Sequence, residues 1–133
     1  MAVALGDVIG KIGGDGGSQV LVDDTRVQQI QAYEDVDVQV FQVAVKAIYA
    51  ITVDIKSSSG SLDTSDCYLD VNPDGDRNRR IVRLINSAYN KTGSNSGCVV
   101  LTPGSFTLQF RNDSTKIGYV VSRVRVFKVQ EVK

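Results

Sequence analysis

The chain has 133 residues, of which 42% are hydrophobic and 23% are charged. These values are typical of one globular domain and exclude a wholly disordered chain, and no apolar run approaches the ~20 residues of a bilayer-spanning helix. Charge is sorted by position: residues 1–76 carry 13 acidic and 4 basic side chains, whereas residues 77–133 carry 2 acidic and 11 basic ones, for a formal net charge of zero. Such sorting predicts two opposed charged surfaces.

The amino-terminal segment, residues 1–18, is rich in glycine from Gly10 to Gly17. No helix is predicted after it, so it does not match a phosphate-binding loop, and we expect an extended arm. The segment also lacks the basic leader and apolar core of a signal peptide. We therefore expect a soluble, unexported protein with one β domain over residues 19–133.

Alternation of polar and apolar residues predicts β-strands through this domain. The clearest runs are Phe41–Ile55 and Ser105–Arg111. The first run is too long for one strand of a small domain, which predicts a break near Lys46–Ile48. Only Arg26–Tyr33 has a pattern compatible with a short helix. The other predicted strands are Gln19–Val22, Val36–Val40, Cys67–Val71, Ile81–Ile85, Cys98–Leu101 and Tyr119–Val129.

The phase of the apolar positions changes at two places. Apolar residues up to Val40 occupy even positions, and Phe41 begins an odd-numbered series, so a β-bulge between them would keep both sets facing the core. Near the carboxyl end the even series stops at Val126 and an odd series begins at Phe127. This change predicts a second bulge there, with Lys128 on the solvent side.

Eight or so short strands separated by polar turns predict an all-β fold, a jelly-roll-like β-sandwich or, alternatively, a partly open β-barrel. The longest loops, Lys56–Ser65 and Asn86–Gly97, are the expected variable tips. Cys67 and Cys98 both lie in strand-like runs and are too few for a structural zinc site in a chain without histidine. They are either two buried small side chains or a bridge between neighbouring strands.

The segment Asp70–Asn78 has two interpretations. It resembles the calcium loop of EF-hands and dockerins, with a central glycine at Gly75. The position that should supply a bidentate acid is Ile81, however, and two arginines precede it. We favour a β-hairpin with a type I turn over Asn72–Gly75 and a G1 bulge, in which Gly75 takes a positive φ. The calcium loop stays an alternative, and its ligands would be Asp70, Asn72, Asp74 and Asp76.

Arginines on two predicted strands form a basic face. Because aromatic residues are only 7% of the chain and tryptophan is absent, nucleic-acid binding is not expected. The face either pairs with acidic strands of the same chain or binds a neighbouring copy or another subunit. The chain has no histidine to act as a base, which favours a non-enzymatic role. The predicted interface residues are Arg79, Arg80, Arg83, Arg123 and Arg125.

The size, the β architecture, the arm Met1–Gly17 and the lack of a catalytic set resemble the small all-β capsid decoration or cement proteins of tailed bacteriophages. The resemblance implies a virion structural protein without cofactor, assembled in the host cytoplasm, that binds other copies of itself or the major capsid protein. The alternative is a carbohydrate-binding jelly-roll module with calcium near the sugar. In that case Tyr68 or Tyr89 would be the stacking platform.

Overall fold

The computed structural model of the chain describes residues 18–57, 67–89, 92–115 and 117–133, with the backbone alone described at 85–89. The predicted arm lies outside these residues except for Ser18, whose hydroxyl donates to the Val129 carbonyl oxygen at 3.0 Å. The described part of the chain contains no helix of the length and apolarity that a membrane span requires. Its strands are β1 (Gln19–Ile30), β2 (Asp35–Val43), β3 (Ala47–Ser57), β4 (Cys67–Pro73), β5 (Val82–Tyr89), β6 (Thr92–Leu101), β7 (Gly104–Asn112) and β8 (Tyr119–Glu131).

The strands form two antiparallel sheets that share β5. The first sheet has the order β1-β8-β3-β6 and ends with residues 86–89 of β5. The second sheet begins with residues 82–85 of β5 and continues through β4, β7 and β2. This confirms the predicted all-β, jelly-roll-like sandwich. The strand order is open, with β1 and β2 at its two ends, so the sheets do not close into a barrel.

The hydrophobic core lies between the two sheets. The inward side chains of β3 are the odd-numbered ones, and each of them from Tyr49 to Ile55 is at most 1% exposed. Two aromatic pairs cross the core region: the rings of Phe41 and Phe106 are 5.9 Å apart, and those of Phe110 and Tyr119 meet edge to face at 6.0 Å. Such pairs add about 0.5–1.5 kcal/mol each beyond the burial of their surface.

Strand β5 passes from one sheet to the other beside Gly97 of β6. Leu84, on the first half of β5, is 6% exposed. A Cβ atom added at Gly97 would lie 2.7 Å from Leu84 Cδ2, which is far inside van der Waals contact. The missing side chain at Gly97 therefore makes the room in which Leu84 packs.

The long alternating run divides as predicted, and the predicted helix does not form. Strand β2 ends at Val43 and β3 begins at Ala47, close to the break expected near Lys46–Ile48. Arg26–Tyr33 instead continues β1 as far as Ile30 and then forms a turn. The helix prediction is wrong because strand pairing with β8 outweighs local sequence preference.

The first bulge lies earlier than its predicted place between Val40 and Phe41. The register of β2 against β7 shifts between Asp37 and Gln39, which leaves Val38 as the extra residue. Val38 is 4% exposed, whereas Val40 is 45% exposed. Val40 therefore does not face the core, and the prediction that it does is wrong.

Strand β8 also changes phase at unpredicted places. Its register against β3 leaves Ser122 and Val129 as extra residues, so the bulge predicted near Val126–Phe127 is wrong. Lys128 is only 8% exposed rather than on the solvent side. Its ammonium lies 3.5 Å from the Glu131 carboxylate, which lets the aliphatic stem be buried while the charge stays paired.

Arg26 connects the two free edges of the sandwich. The register of β1 shifts between Thr25 and Gln28, so Arg26 stands in a bulge and its side chain can leave the sheet. Its guanidinium donates to the carbonyl oxygen of Val38, and at 2.7 Å to Oε1 of Gln39. Arg26 stands in the bulge of β1 and Val38 in the bulge of β2, so the contact between the two edge strands joins their bulges.

Replacement of Gly97 by valine should destabilise the fold, because the new methyl groups would displace Leu84 from the point where β5 changes sheet. We expect Gly97→Val to lower the free energy of unfolding by about 1–3 kcal/mol, as overpacked cores do. Urea denaturation followed by circular dichroism measures the change. Ser96→Val, at the neighbouring exposed position of β6, is the control and should stay within about 0.5 kcal/mol of the parent. Equal stability of the two variants would contradict the packing argument.

Candidate functional site

Three of the five predicted interface arginines pair with acidic residues of their own chain, on the neighbouring strand in each case. Arg83 donates to both carboxylate oxygens of Asp70 at 2.8 and 3.0 Å. The other two pairs join β8 to the strands on either side of it: Arg123 binds Asp23 at 3.0 Å through two contacts, and Arg125 binds Asp54 at 3.1 Å.

These contacts also change pKa values in the two pairs in which Nε and Nη2 of the arginine each bond one carboxylate oxygen, Arg83 with Asp70 and Arg123 with Asp23. The hydrogen bonds with Arg123 hold the pKa of Asp23 below its ordinary value, and the same contact raises the pKa of Arg123. The hydrogen bonds to Asp70 raise the pKa of Arg83. Asp70 is 2% exposed, so its charge is held by the guanidinium rather than by water.

The other two predicted interface arginines lie on the loop between β4 and β5. Arg79 is exposed, and its Nε is 4.0 Å from the Asp76 carboxylate, a loose surface pair. Arg80 is exposed and has no ion-pair partner among the described residues. The structure therefore separates this loop pair from the three arginines that face acidic strands.

The four residues of the calcium-loop alternative do not converge on one point. Asp70 is held by Arg83, and Asp74 accepts hydrogen bonds from the hydroxyls of Ser105 and Thr107 on β7. The last carboxylate, that of Asp76, accepts from the backbone of Asn78. No group of three or more acids or cysteines close enough to hold a metal occurs in the part of the chain that the structure describes.

The remaining member of that set, Asn72, is 1% exposed and packs against β7. Its amide nitrogen lies 3.4 Å from Oε1 of Gln109, at the limit of a hydrogen bond, and its Oδ1 is buried without a partner in the described structure. The side chains of Asp70, Asn72 and Gln109 thus form a buried polar layer on the second sheet. Within this layer the Asp70 carboxylate is bound by Arg83.

The turn after β4 differs from the predicted one. The hydrogen bond from the Asp76 nitrogen to the Pro73 oxygen, at 3.0 Å, closes a turn over Pro73–Asp76 rather than Asn72–Gly75. Gly75 then stands in its third position with φ +81°, which is the geometry of a type II turn. The predicted turn is therefore wrong in type, and its position is off by one residue. Strands β4 and β5 nevertheless pair as an antiparallel hairpin.

Of the two tyrosines predicted as sugar platforms, Tyr68 already contacts another side chain of its own chain. The guanidinium carbon of Arg83 lies 4.5 Å above the Tyr68 ring, so one face of that ring is already covered. Tyr89 belongs to β5, and its side chain lies outside the described residues. Neither cysteine is in a disulfide, so the alternative of a bridge between neighbouring strands is not formed; Cys67 is buried and Cys98 is exposed, so only one of them is a buried small side chain.

A cleft of about 270 Å³ opens where β1 ends and β8 begins. Two segments line it, Gln29–Ala32 from the end of β1 and Gly118–Val120 from the start of β8. The lining residues include Gln29 and Gln31, the buried Ile30 and Tyr119, and Gly118. It therefore combines hydrogen-bonding groups with apolar surface, as ligand sites do.

One buried amide, that of Asn112, positions both walls of this cleft. Its Nδ2 donates to the carbonyl oxygens of Gln31 at 2.9 Å and Ile117 at 2.8 Å, and its Oδ1 accepts from the Ser114 nitrogen at 3.0 Å. Its backbone nitrogen donates to the Glu34 oxygen at 3.0 Å. Asn112 is 0% exposed, so these bonds form away from competing water.

Tyr33 follows the cleft residue Ala32 directly in the chain. Its φ is +57°, in the left-handed region that tyrosine rarely adopts, and its backbone nitrogen donates to the Ser114 oxygen at 2.7 Å. The side chain is 73% exposed. A bulky residue held in an unfavourable backbone conformation, with its ring in water, adds little to stability and is typical of binding sites.

Sequence reasoning did not select Tyr33, because the residue was assigned to a possible helix. A tyrosine in the short link between two strands, flanked by Ala32 and Glu34, was the available signal. The pattern gives no indication of the backbone conformation, which depends on Asn112, a residue nearly eighty positions away along the chain.

No family model matches the chain, and no curated protein matches it. Solved structures with a similar fold include the pre-peptidase C-terminal domain of a collagenase from Bacillus anthracis, with TM-score 0.52 and 14% identity over 80% of this chain and 89% of that one. A carbohydrate-binding module from Cellvibrio mixtus lichenase 5A, in complex with cellotriose, has TM-score 0.50 and 14% identity over 88% and 95% of the two chains. These likenesses establish the β-sandwich fold.

The Asp23 carboxyl should titrate below its ordinary pKa of 3.8 because Arg123 stabilises the ionised form. A carboxyl whose pKa is lowered by folding adds stability above its unfolded pKa and loses that contribution as the pH falls through the folded value. Carbon-detected NMR titration of the aspartates measures the midpoint. Arg123→Gln should return it toward 3.8. An unchanged midpoint in that variant would contradict the pairing.

Glycine at position 33 should stabilise the protein, because it adopts positive φ without steric cost. We expect Tyr33→Gly to raise the free energy of unfolding by up to about 1 kcal/mol. Tyr33→Ala removes the same exposed ring but keeps a Cβ, so it should not share this gain. Urea denaturation of both variants gives the comparison, and a Tyr33→Gly protein no more stable than Tyr33→Ala would show that the backbone at this position is not strained.

Proposed function

We propose that this chain is a non-catalytic carbohydrate-binding module whose sugar site is the cleft at Tyr33. The observation that carries the proposal is the exposed tyrosine ring, which is kept in a strained backbone conformation and directly follows a residue that lines the cleft. Sugar rings have an apolar face that stacks on aromatic rings and hydroxyl groups that need amide or carbonyl partners. The similarity in fold to a module solved with cellotriose agrees with this function.

The dimensions of the cleft favour a short sugar segment. Its volume of about 270 Å³ is below the range of roughly 300–1,000 Å³ that holds drug-sized ligands. In the proposed complex one sugar ring stacks on Tyr33, and its hydroxyls reach the side chains of Gln29 and Gln31. One or two sugar units at a chain end or branch are therefore the expected ligand.

Binding should not require calcium in this proposal. Cys67, at the start of β4, pairs with Asn112, whereas Pro73, at the end of β4, pairs with Phe106. The carboxylates after Pro73 thus lie at the opposite end of the second sheet from the Asn112 end, where the cleft opens. A cation near Asp74 would be too far away to contact the sugar.

The capsid-decoration interpretation stays a prediction. The opposed charges and the arm are the sequence features that favour it. In the structure, however, Arg83, Arg123 and Arg125 pair with acids of the same chain. A glycan-binding test separates the two functions. Binding of the chain to a purified capsid, with no response to any glycan, would favour the decoration role.

Glycan arrays followed by calorimetry test the proposal, with cellotriose as the first oligosaccharide in solution. We expect Tyr33→Ala to weaken binding at least about tenfold and Tyr33→Phe to retain it, since the ring rather than the hydroxyl carries the stacking. Val27→Ala, at a valine of β1 that is 85% exposed, is the control and should bind like the parent. Addition of a chelator should leave the affinity unchanged.

Failure of the parent chain to bind any glycan would overturn the proposed function. Binding that survives Tyr33→Ala would overturn the site. Circular dichroism of each variant establishes that a loss of binding comes from the ring and not from unfolding.

A further inference from the structure

Strands β1 and β2 end the strand order, so each has one edge that no other described strand covers. Cα atoms of the two strands approach within 8 Å of each other, yet the strands do not pair. An uncovered edge exposes unpaired backbone N–H and C=O groups, to which a strand of another molecule can add. The gap between β1 and β2 is therefore a place where this sandwich is open to strand addition.

The side chain of Arg26 fills this gap. Its Nε donates to Asp24 at 2.7 Å and its Nη1 to Gln28 at 3.1 Å, both on its own strand. Across the gap, Nη1 donates to the carbonyl oxygen of Val38, and Nη2 donates to Oε1 of Gln39 at 2.7 Å. The Arg26 side chain is only 19% exposed, although it belongs to an edge strand. The guanidinium thus joins the two edges where no backbone pairing does.

The bulge that gives Arg26 its partner also divides the edge of β2. The strand spans nine residues, and the extra residue Val38 separates a run of three from a run of five. The Val38 carbonyl oxygen already accepts from the guanidinium. Short runs and bulges are two of the features by which natural sheets prevent strand addition at an edge.

Both edge strands are also acidic. Asp24 lies on β1, and Arg26 is the single basic residue of the two strands. The other acids of these strands are held by arginines from elsewhere in the chain: Asp23 by Arg123, Asp35 by Arg111 and Asp37 by Arg77. Two copies that met edge to edge would bring such carboxylates together, which opposes pairing.

We propose that Arg26 is an edge lock: it holds the free edges of β1 and β2 together and so prevents a second copy of this chain from adding a strand to either one. The chain is then monomeric because of this contact and not only because of its edge charges. Arginine suits the position, since its planar group has five N–H donors and reaches both strands at once, whereas the ammonium of lysine is compact.

The edge lock goes beyond the proposed function and does not depend on it. Neither Arg26 nor its partners across the gap, Val38 and Gln39, line the cleft. A chain that binds no glycan would therefore leave the edge lock intact, and failure of the edge lock would leave the sugar site intact.

Sedimentation velocity over a concentration series in the micromolar range tests the edge lock. The parent chain should remain monomeric. Arg26→Met keeps the apolar stem but removes the donors, so it should form oligomers at concentrations at least about tenfold lower than the parent does. Arg77→Met is the matched control, because it removes the same charge from a residue that also binds β2, at Asp37, but that belongs to the loop after β4. It should stay monomeric.

Two further measurements separate strand addition from other kinds of association. Salt should strengthen the association of Arg26→Met, because it screens the repulsion between the edge carboxylates. Amide hydrogen exchange in β1 or β2 should slow as this variant associates, since an added strand gives the free N–H groups of an edge their partners. Slowing confined to other strands would overturn the proposal.

An Arg26→Met protein that stays monomeric throughout the series would also overturn it, as would equal association of Arg77→Met or of the parent. If Arg26→Met fails to fold, Arg26→Lys is the second variant. It keeps the charge but loses the fork that reaches Val38 and Gln39 together with the partners on β1. It should associate more than the parent, and a monomeric Arg26→Lys would then overturn the edge lock.

Discussion

The fold depends on one constraint: each strand of the acidic part of the chain pairs only with strands of the basic part. Strands β1 to β4 lie within residues 1–76, and their neighbours in both sheets are drawn from β5 to β8. In the described structure, each ion pair that joins two different strands accordingly links an acid of the first part to an arginine of the second. The sorting of charge along the sequence is thereby turned into attraction between neighbouring strands, and wrong pairings within one part would set like charges side by side.

Because acids pair with arginines in this way, a group that lowers the stability of the isolated chain can be recognised as an exception. Acids and arginines neutralise one another on the sheet faces, and the buried Asp70 is bound by Arg83. Tyr33 is an exception, since a strained, exposed tyrosine costs free energy in the isolated chain. In the proposed function a sugar is the ligand that would offset this cost. The buried Asn112 holds the turn from which Tyr33 projects.

Much of the architecture could be predicted from periodicity, and the rest could not for identifiable reasons. The alternation in Phe41–Ile55 and Ser105–Arg111 correctly predicts strands, and the excessive length of the first run correctly predicts a break. The exact bulge positions failed because alternation reveals a change of phase but not which residue absorbs it, so Val40 and Lys128 were assigned to the wrong faces. The passage of β5 between sheets and the conformation of Tyr33 depend on contacts distant in sequence, and no local pattern encodes them. The sequence left open whether the arginines pair within the chain or with another subunit. The strand order pairs Arg83, Arg123 and Arg125 with acids of the same chain.

A double-mutant cycle on Asp70 and Arg83 tests most directly whether the opposed charges are satisfied inside the chain. This pair is suited to the test because Asp70 is almost wholly buried and both of its oxygens accept from Arg83. The free energies of unfolding of the parent, Asp70→Asn, Arg83→Gln and the double variant give the coupling between the two side chains. The account predicts a favourable coupling of at least about 1 kcal/mol, as expected for a buried, doubly hydrogen-bonded ion pair. Additive effects of the two substitutions, with no coupling, would contradict it.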